Sequence, residues 1–425
     1  MKRLCVSILA AIWCVPLTLP ALAQVKVEGM IQTDFYYYEQ SKERVLGGLL
    51  KNATTQQDDW STTRIHMPQS LNRITVRYTG EDKKVNGYIQ LRAGGSRANP
   101  GLRNPATESD LTWEHAWIDW HVNPSLYFRF GRQDQTFAGA YAPAQTMGWI
   151  DGHMVGTPFG NITSQTRDAV RAFIKFSDHV RMEVQLLDPN TEGAGFTELN
   201  LPSIGGAGMA ANAREANTLP RFDISLPIKA ANFQVEPGFT YLKQEWDQVF
   251  AGSDDSYDVW GVTLGGKAGF GPFSILGEIT YGQNLGPNSS HYGAVIGGPV
   301  SYNPAGTHAN VRKIEDGETL AWFIQLGFDF GPFAIQGIVG MNKGENDGDP
   351  TIARDAAESE ITQSMYGLNF PIKVTKTFTI TPQIWYYDWD GDAKIGGATG
   401  TPQRNGVNTD RGDELMIGAT FNLVF

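Results

Sequence analysis

Apolar and polar residues alternate along most of this chain in short runs. The run from Glu414 to Phe425 shows the pattern plainly. Leu415, Ile417, Ala419, Phe421, Leu423 and Phe425 share one face; Glu414, Met416, Gly418, Thr420, Asn422 and Val424 share the other. A period of two predicts a β-strand with one apolar and one more polar side. The first such run, Val25 to Tyr38, places Val25, Val27, Ile31, Phe35 and Tyr37 opposite Lys26, Glu28, Gln32 and Asp34. An apolar final strand is an unpaired edge unless something covers it. Pairing with the first strand would close the sheet into a barrel.

Between these ends the pattern predicts strands near 73–78, 88–92, Leu111 to Trp120, Leu126 to Arg132, Val170 to Phe176, Val180 to Leu187, Arg221 to Leu226 and Phe233 to Leu242. Three hairpins follow: Tyr257–Ala268 with Phe273–Tyr281, Leu320–Phe330 with Phe333–Met341, and Thr362–Phe370 with Phe378–Tyr387. The total is about sixteen, an even number, with short turns alternating with long loops, as in transmembrane barrels. Two of the turns repeat a solution, Gly-Phe-Gly-Pro-Phe from Gly269 and Asp-Phe-Gly-Pro-Phe from Asp329. Alternation alone also fits a secreted β-sandwich. The predicted outer faces, however, are apolar in nearly every strand, and the inner faces carry Arg, Glu, Gln and Asn, which a dry core tolerates only when paired. Aromatics near strand ends suggest an interfacial girdle: Trp117 and Trp120, Tyr257 and Trp260, Phe328 and Phe330, Trp385 to Tyr387.

Composition sharpens this picture. Residues 1–23 have a basic start, an apolar stretch and Ala21-Leu22-Ala23, which predicts a cleaved export signal before Gln24. Both cysteines, Cys5 and Cys14, lie inside it, so the exported chain would hold no thiol or disulfide. Loss of Lys2 and Arg3 takes the formal charge from −11 to −13, which argues against nucleic acid as a partner. Past Ala23 no run reaches the roughly 18 apolar residues of a membrane-spanning helix. Residues 24–425 read as one domain.

In its export signal, hairpin rhythm, acidic long loops and terminal Phe425, the chain resembles the sixteen-stranded, trimeric porins of Gram-negative outer membranes. The resemblance spans nearly all of Gln24 to Phe425. It implies a closed antiparallel transmembrane β-barrel with periplasmic turns and extracellular loops. It also implies a homotrimer in outer-membrane lipid and lipopolysaccharide, with the strand ending at Phe425 read by the barrel-assembly machinery. In such porins the loop after the fifth strand folds into the lumen. Here that loop is Asp134 to Arg167, with Phe137, Tyr141, Met147, Trp149, Asp151, Met154 and Phe159. It lacks the family's dense acidic cluster, and Asp151 is its main central charge.

Inward positions on the second, third, fifth, sixth and seventh strands are rich in cations: Arg73, Arg77, Arg92, Arg129, Arg171, Lys175 and Arg181. Such a wall can hold passing carboxylates, phosphates or sulfate briefly. Glu114, Asp119, Asp151 and Glu183 are candidates for the opposing charges, or for partners that simply stiffen the wall. The expectation is a water-filled diffusion channel for small hydrophilic solutes and ions, with mild anion preference. A substrate-specific channel guided by Tyr88, Trp149 and Trp385 is the nearest alternative, and an exported glycan-binding β-protein the next. Nucleophile-elbow, phosphate-loop and paired metal-histidine motifs are absent, so neither an enzyme nor a cofactor is expected. Asp347, Asp349 and the Asp388 to Asp392 stretch carry the spacing of divalent-cation loops only in part.

Overall fold

The computed structural model of this chain describes residues 24–41, 60–66, 72–93, 111–137, 166–188, 214–215, 219–247, 255–285, 300–302, 313–346, 359–393 and 412–425. These form sixteen barrel strands. They are β1 (Gln24–Gln40), β2 (Trp60–His66 and Arg73–Thr79), β3 (Val85–Ala93), β4 (Leu111–Asn123), β5 (Leu126–Asp134), β6 (Thr166–Lys175), β7 (Arg181–Leu187) and β8 (Arg214–Glu215, Arg221–Ser225 and Ile228–Lys229). Then come β9 (Phe233–Asp247), β10 (Ser256–Phe270), β11 (Phe273–Gln283), β12 (Gly317–Asp329), β13 (Ala334–Asn346), β14 (Ser359–Asn369 and Ile372–Lys373), β15 (Phe378–Ala393) and β16 (Asp413–Val424). A separate two-stranded ribbon joins Val300–Tyr302 to Lys313–Glu315.

Every neighbouring pair is antiparallel, and β1 closes the sheet. Met30 to Gln40 pair with Val424 to Glu414, while Gln24 to Met30 pair with Thr79 to Arg73 on the other edge. Closure leaves no edge strand and satisfies the backbone polar groups within the sheet, as a spanning structure requires. Short turns join β9 to β8, β11 to β10 and β13 to β12. In the last two, Gly271 and Gly331 take φ of +61° and +95°, a region that favours glycine over residues with a side chain.

The two faces sort as the alternation predicts. Val25, Val27, Ile31, Ile89, Ile118, Val262, Leu264, Ile279, Ile324, Leu326, Ile384 and Ile417 point outward and are exposed. Two aromatic rims bound the band. Near the turns Phe328 packs on Phe330 with its ring tilted by 44°, and Phe330 stacks on Phe333, each pair with centres 4.7 Å apart. Near the loops Tyr37, Tyr241, Tyr281 and Tyr386 donate their hydroxyls to Glu39, Asp258, Glu318 and Asp413 at 2.7 to 3.0 Å. An amphipathic ring with its polar tip in water is suited to this boundary.

Four aromatics expected in the girdle lie elsewhere. Trp117, Tyr257, Trp385 and Tyr387 face the inside, because alternation cannot send Trp385, Tyr386 and Tyr387 to one side. Trp385 and Tyr387 join Tyr36, Tyr38, Phe323, Ile338, Met365 and Met416 in a buried cluster on the inner wall of β1 and β12 to β16. Rings there lie over facing glycines: Trp385 is paired with Gly367, Tyr36 with Gly418 and Phe323 with Gly340. The strands also run further than the pattern suggests. Trp60–His66, within the stretch expected as a loop, pairs with Asp34 to Gln40. β15 continues through Asp388 to Asp392 because the first residues of β14 pair with it.

Candidate functional site

The inner faces of β2 to β7 form the chemically distinctive wall. Register brings its members together. Arg77 lies opposite Tyr88, Tyr88 opposite Trp117, Arg129 opposite Arg171 and Phe173 opposite Glu183. A β-bulge in β4 sets the alignment. His115 and Trp113 face Gln90 and Leu91, which leaves Glu114 as the extra residue. The bulge turns two consecutive side chains inward, so Glu114 and Asp119 serve the same face despite their odd spacing.

The result is a ladder of alternating cations and rings. The Arg77 guanidinium sits 4.7 Å from the Tyr88 ring centre. Tyr88 stacks on Trp117 at 3.9 Å and 8°. Arg129 covers Trp117 at 4.2 Å and also approaches Phe173 at 5.2 Å. Arg171 and Arg181 flank Phe173 at 5.5 and 5.6 Å, and Tyr127 stacks on it at 4.1 Å. These distances lie within cation–π range. Arg77, Tyr88, Arg129 and Phe173 each stand two or three residues from the turn end of their strands, so the ladder runs around the lumen near its turn rim.

Of the two readings of the carboxylates, Glu114, Asp119 and Glu183 follow the second: they lie on the same wall as the cations and pair with them. Arg129 makes a two-pronged contact with Asp119, Nε to Oδ1 at 2.7 Å and Nη2 to Oδ2 at 3.0 Å. Arg92 meets Glu114 at 3.5 Å, Arg77 meets Glu28 at 2.9 Å, and Arg171 donates to Glu183 at 3.2 Å. Arg181 also reaches Glu183. Lys175 is at the turn end, 2.6 Å from Asp178 in the turn after β6; that contact holds the Asp178 carboxyl below its usual range. Arg73 lies opposite Arg92 and has no ion-pair partner among the described residues. On β2 to β7 inward cations still outnumber carboxylates, since Arg167 adds to the set. The facing wall carries Glu236, Glu278 and Glu414 on β9, β11 and β16, with Lys267 on β10.

The described start of the loop after β5, residues 135–137, turns into the barrel. Thr136 N donates to Gln185 Oε1 at 2.7 Å, and its hydroxyl lies 2.7 Å from Ser225 Oγ. Phe137 N donates to Asp223 Oδ2 at 3.4 Å. The Phe137 ring is fully buried with Leu242, Tyr257, Val259, Leu285 and Ala321. Beneath it Arg221 Nε donates to Asp223 Oδ1 and Thr240 Oγ1, both at 2.9 Å, with Arg221 and Asp223 almost wholly buried. Asp151 and Trp149, further along this loop, lie outside the described residues, as do Asp347 and Asp349. Alternation could have exposed Tyr127 and Phe173, which share parity with Arg129 and Arg171. Trp117 shares parity with the inward Asp119 and was legible in the same way, whereas nothing in the pattern signals the loop root that covers Arg221.

Comparison of the fold decides its class. The outer membrane channel DcaP of Acinetobacter baumannii superposes with a TM-score of 0.62 at 16% identity, over 96% of this chain and 99% of that one. The chain has the porin fold. The anion-selective porin from Comamonas acidovorans matches with a TM-score of 0.53 at 10% identity, over 95% and 100% of the two chains. OmpT of Vibrio cholerae, an outer membrane protein in trimer form, gives 0.50 at 11%, over 94% and 99%. No family model and no curated protein matches the sequence. Within the porin fold, the loop that Phe137 anchors is the one after the fifth strand.

Proposed function

We propose that this protein is an outer-membrane channel for passive diffusion of small hydrophilic solutes, with anion preference, acting as a homotrimer. The observation that carries it is the inside-out closed barrel: exposed aliphatic residues around the outside and ionic side chains around the lumen. The surplus of inward cations on β2 to β7 supports the preference, because Arg stays charged and offers several donors to an oxyanion. Of the two proteins similar in fold, DcaP is by name an outer membrane channel and the Comamonas protein an anion-selective porin. An exported soluble β-protein would bury that apolar belt. Insertion by the assembly machinery, with Phe425 as its signal, and contact with lipopolysaccharide at the loop rim belong to the same reading.

The ladder favours a second reading in which a solute tracks along Arg77, Tyr88, Trp117 and Arg129. Trp385 is not part of it, since its ring is fully buried. Purified protein in planar bilayers tests both. A salt gradient is expected to give an anion-favouring reversal potential, and clear cation preference overturns the selectivity. Saturable block by one solute would select the substrate-specific channel.

A further inference from the structure

The outside of the barrel is not uniform. Around β9 to β15 it is apolar between its two aromatic rims, and outward charges such as Lys243, Glu318 and Lys343 lie at or beyond the tyrosines. On β5 and β6 the band is interrupted. Arg132 and Asp168 both point outward and oppose each other in the register. Arg132 faces Ala116 on β4, and Trp113, exposed on the outer surface, lies nearer the loops than that pair. Arg132 is six residues beyond Leu126, the first of its strand. At about 3.3 Å per residue and a tilt of roughly 40°, it stands about 15 Å above the turns, inside an apolar band about 25 Å tall.

A cation at that depth is costly against acyl chains. Arg132 and Asp168 do not form an ion pair with each other, and among the described residues the buried Arg132 Nε has no hydrogen-bond partner. Ala116, directly opposite Arg132, is small, and so is Ala172, which lies on the same outer face two outward pairs nearer the turns, opposite Phe128. We infer that the outer face of β4 to β6 around Arg132 and Asp168 is where copies of this chain meet. This deepens the homotrimer reading above and rests on it. A second copy suits this face better than lipid, because a face carrying both signs can present Asp168 of one copy to Arg132 of the next around a closed ring.

Both native cysteines precede residue 24, so single-cysteine variants of the exported chain are unambiguous. Treatment of outer membranes with a short bifunctional thiol reagent is expected to link copies through Ala116→Cys or Ala172→Cys, and not through Ile324→Cys on the opposite wall. On non-denaturing gels Arg132→Asp is expected to weaken the oligomer and Arg132→Asp with Asp168→Arg to restore it. Circular dichroism confirms that each variant keeps its sheet, and where the charge variants fail to fold the cross-links decide. Linkage through Ile324→Cys alone overturns the placement but keeps the oligomer. A wild-type monomer that links through neither wall overturns the homotrimer reading as well.

Discussion

The ring of Phe425 lies over Gly29 across the closing seam. Gly29 N donates to Phe425 O at 2.8 Å and Phe425 N returns a bond to Gly29 O at 3.0 Å. A methyl group placed on Gly29 would stand 2.3 Å from the ring's Cζ. Deletion of Phe425 removes both bonds and the ring. It is expected to lower barrel stability by about 1–3 kcal/mol, read from denaturant unfolding in detergent. Gly29→Val displaces the ring, keeps the backbone bonds and should cost less. An unchanged midpoint after deletion would show that the seam does not depend on this residue.

Asp119 and Arg129 make a stronger test of the lumen. Their side chains are 14% and 20% exposed, so water screens the pair only in part. Asp119→Ala leaves Arg129 between Trp117 and Phe173 without its carboxylate. Loss of about 1–3 kcal/mol is expected, together with a reversal potential shifted further toward anions. Arg129→Ala should shift it the other way. Identical shifts from the two variants would mean that neither charge is felt by passing ions.

Arg221 and Asp223 hold the root of the inward loop. Asp223→Ala leaves a buried guanidinium short of its carboxylate and removes the acceptor of Phe137 N. A cost of about 3–5 kcal/mol is expected. The joint change Arg221→Met with Asp223→Leu removes both charges and should recover most of that loss. Single-channel records should still differ from wild type in both, because Phe137 N loses its acceptor either way. Equal instability of the single and joint variants would contradict the desolvation account.

Much of this architecture is legible in the alternation, because a barrel strand has one lipid side and one wet side at every position. Sixteen strands and the outward placement of Ile74, Val76, Ile89 and Leu91 follow from period two alone. What period two cannot supply is register. Tyr88 and Trp117 are partners in a register that runs unbroken from Val85 with Trp120 to Gln90 with His115, and past it the extra Glu114 reverses the faces. Asp119 meets Arg129 through the register of β4 with β5, which alternation does not supply either, and of the two readings of these carboxylates pairing along the wall is the one the geometry shows. Aromatic clustering misled for a related reason: Trp385 and Tyr387 flank Tyr386, yet only the middle ring meets the membrane.

Trp385 and Gly367 give the last test, a coupling between direct cross-strand partners. A methyl group on Gly367 would stand 2.3 Å from Cζ3 and 2.5 Å from Cε3 of the indole. The indole has little freedom to yield, since it is fully buried and its Nε1 donates to Gln383 Oε1 at 2.9 Å. Gly367→Ala is therefore expected to destabilise by about 1–3 kcal/mol through overpacking. Trp385→Ala, which empties the site, should cost about 3–5 kcal/mol. In that emptied background the same Gly367→Ala change meets no ring, and the strand should gain roughly 0.5–1 kcal/mol from the lower backbone freedom of alanine. The sign reversal is the decisive outcome, because a glycine retained for backbone geometry alone would be equally damaged by alanine with or without the tryptophan.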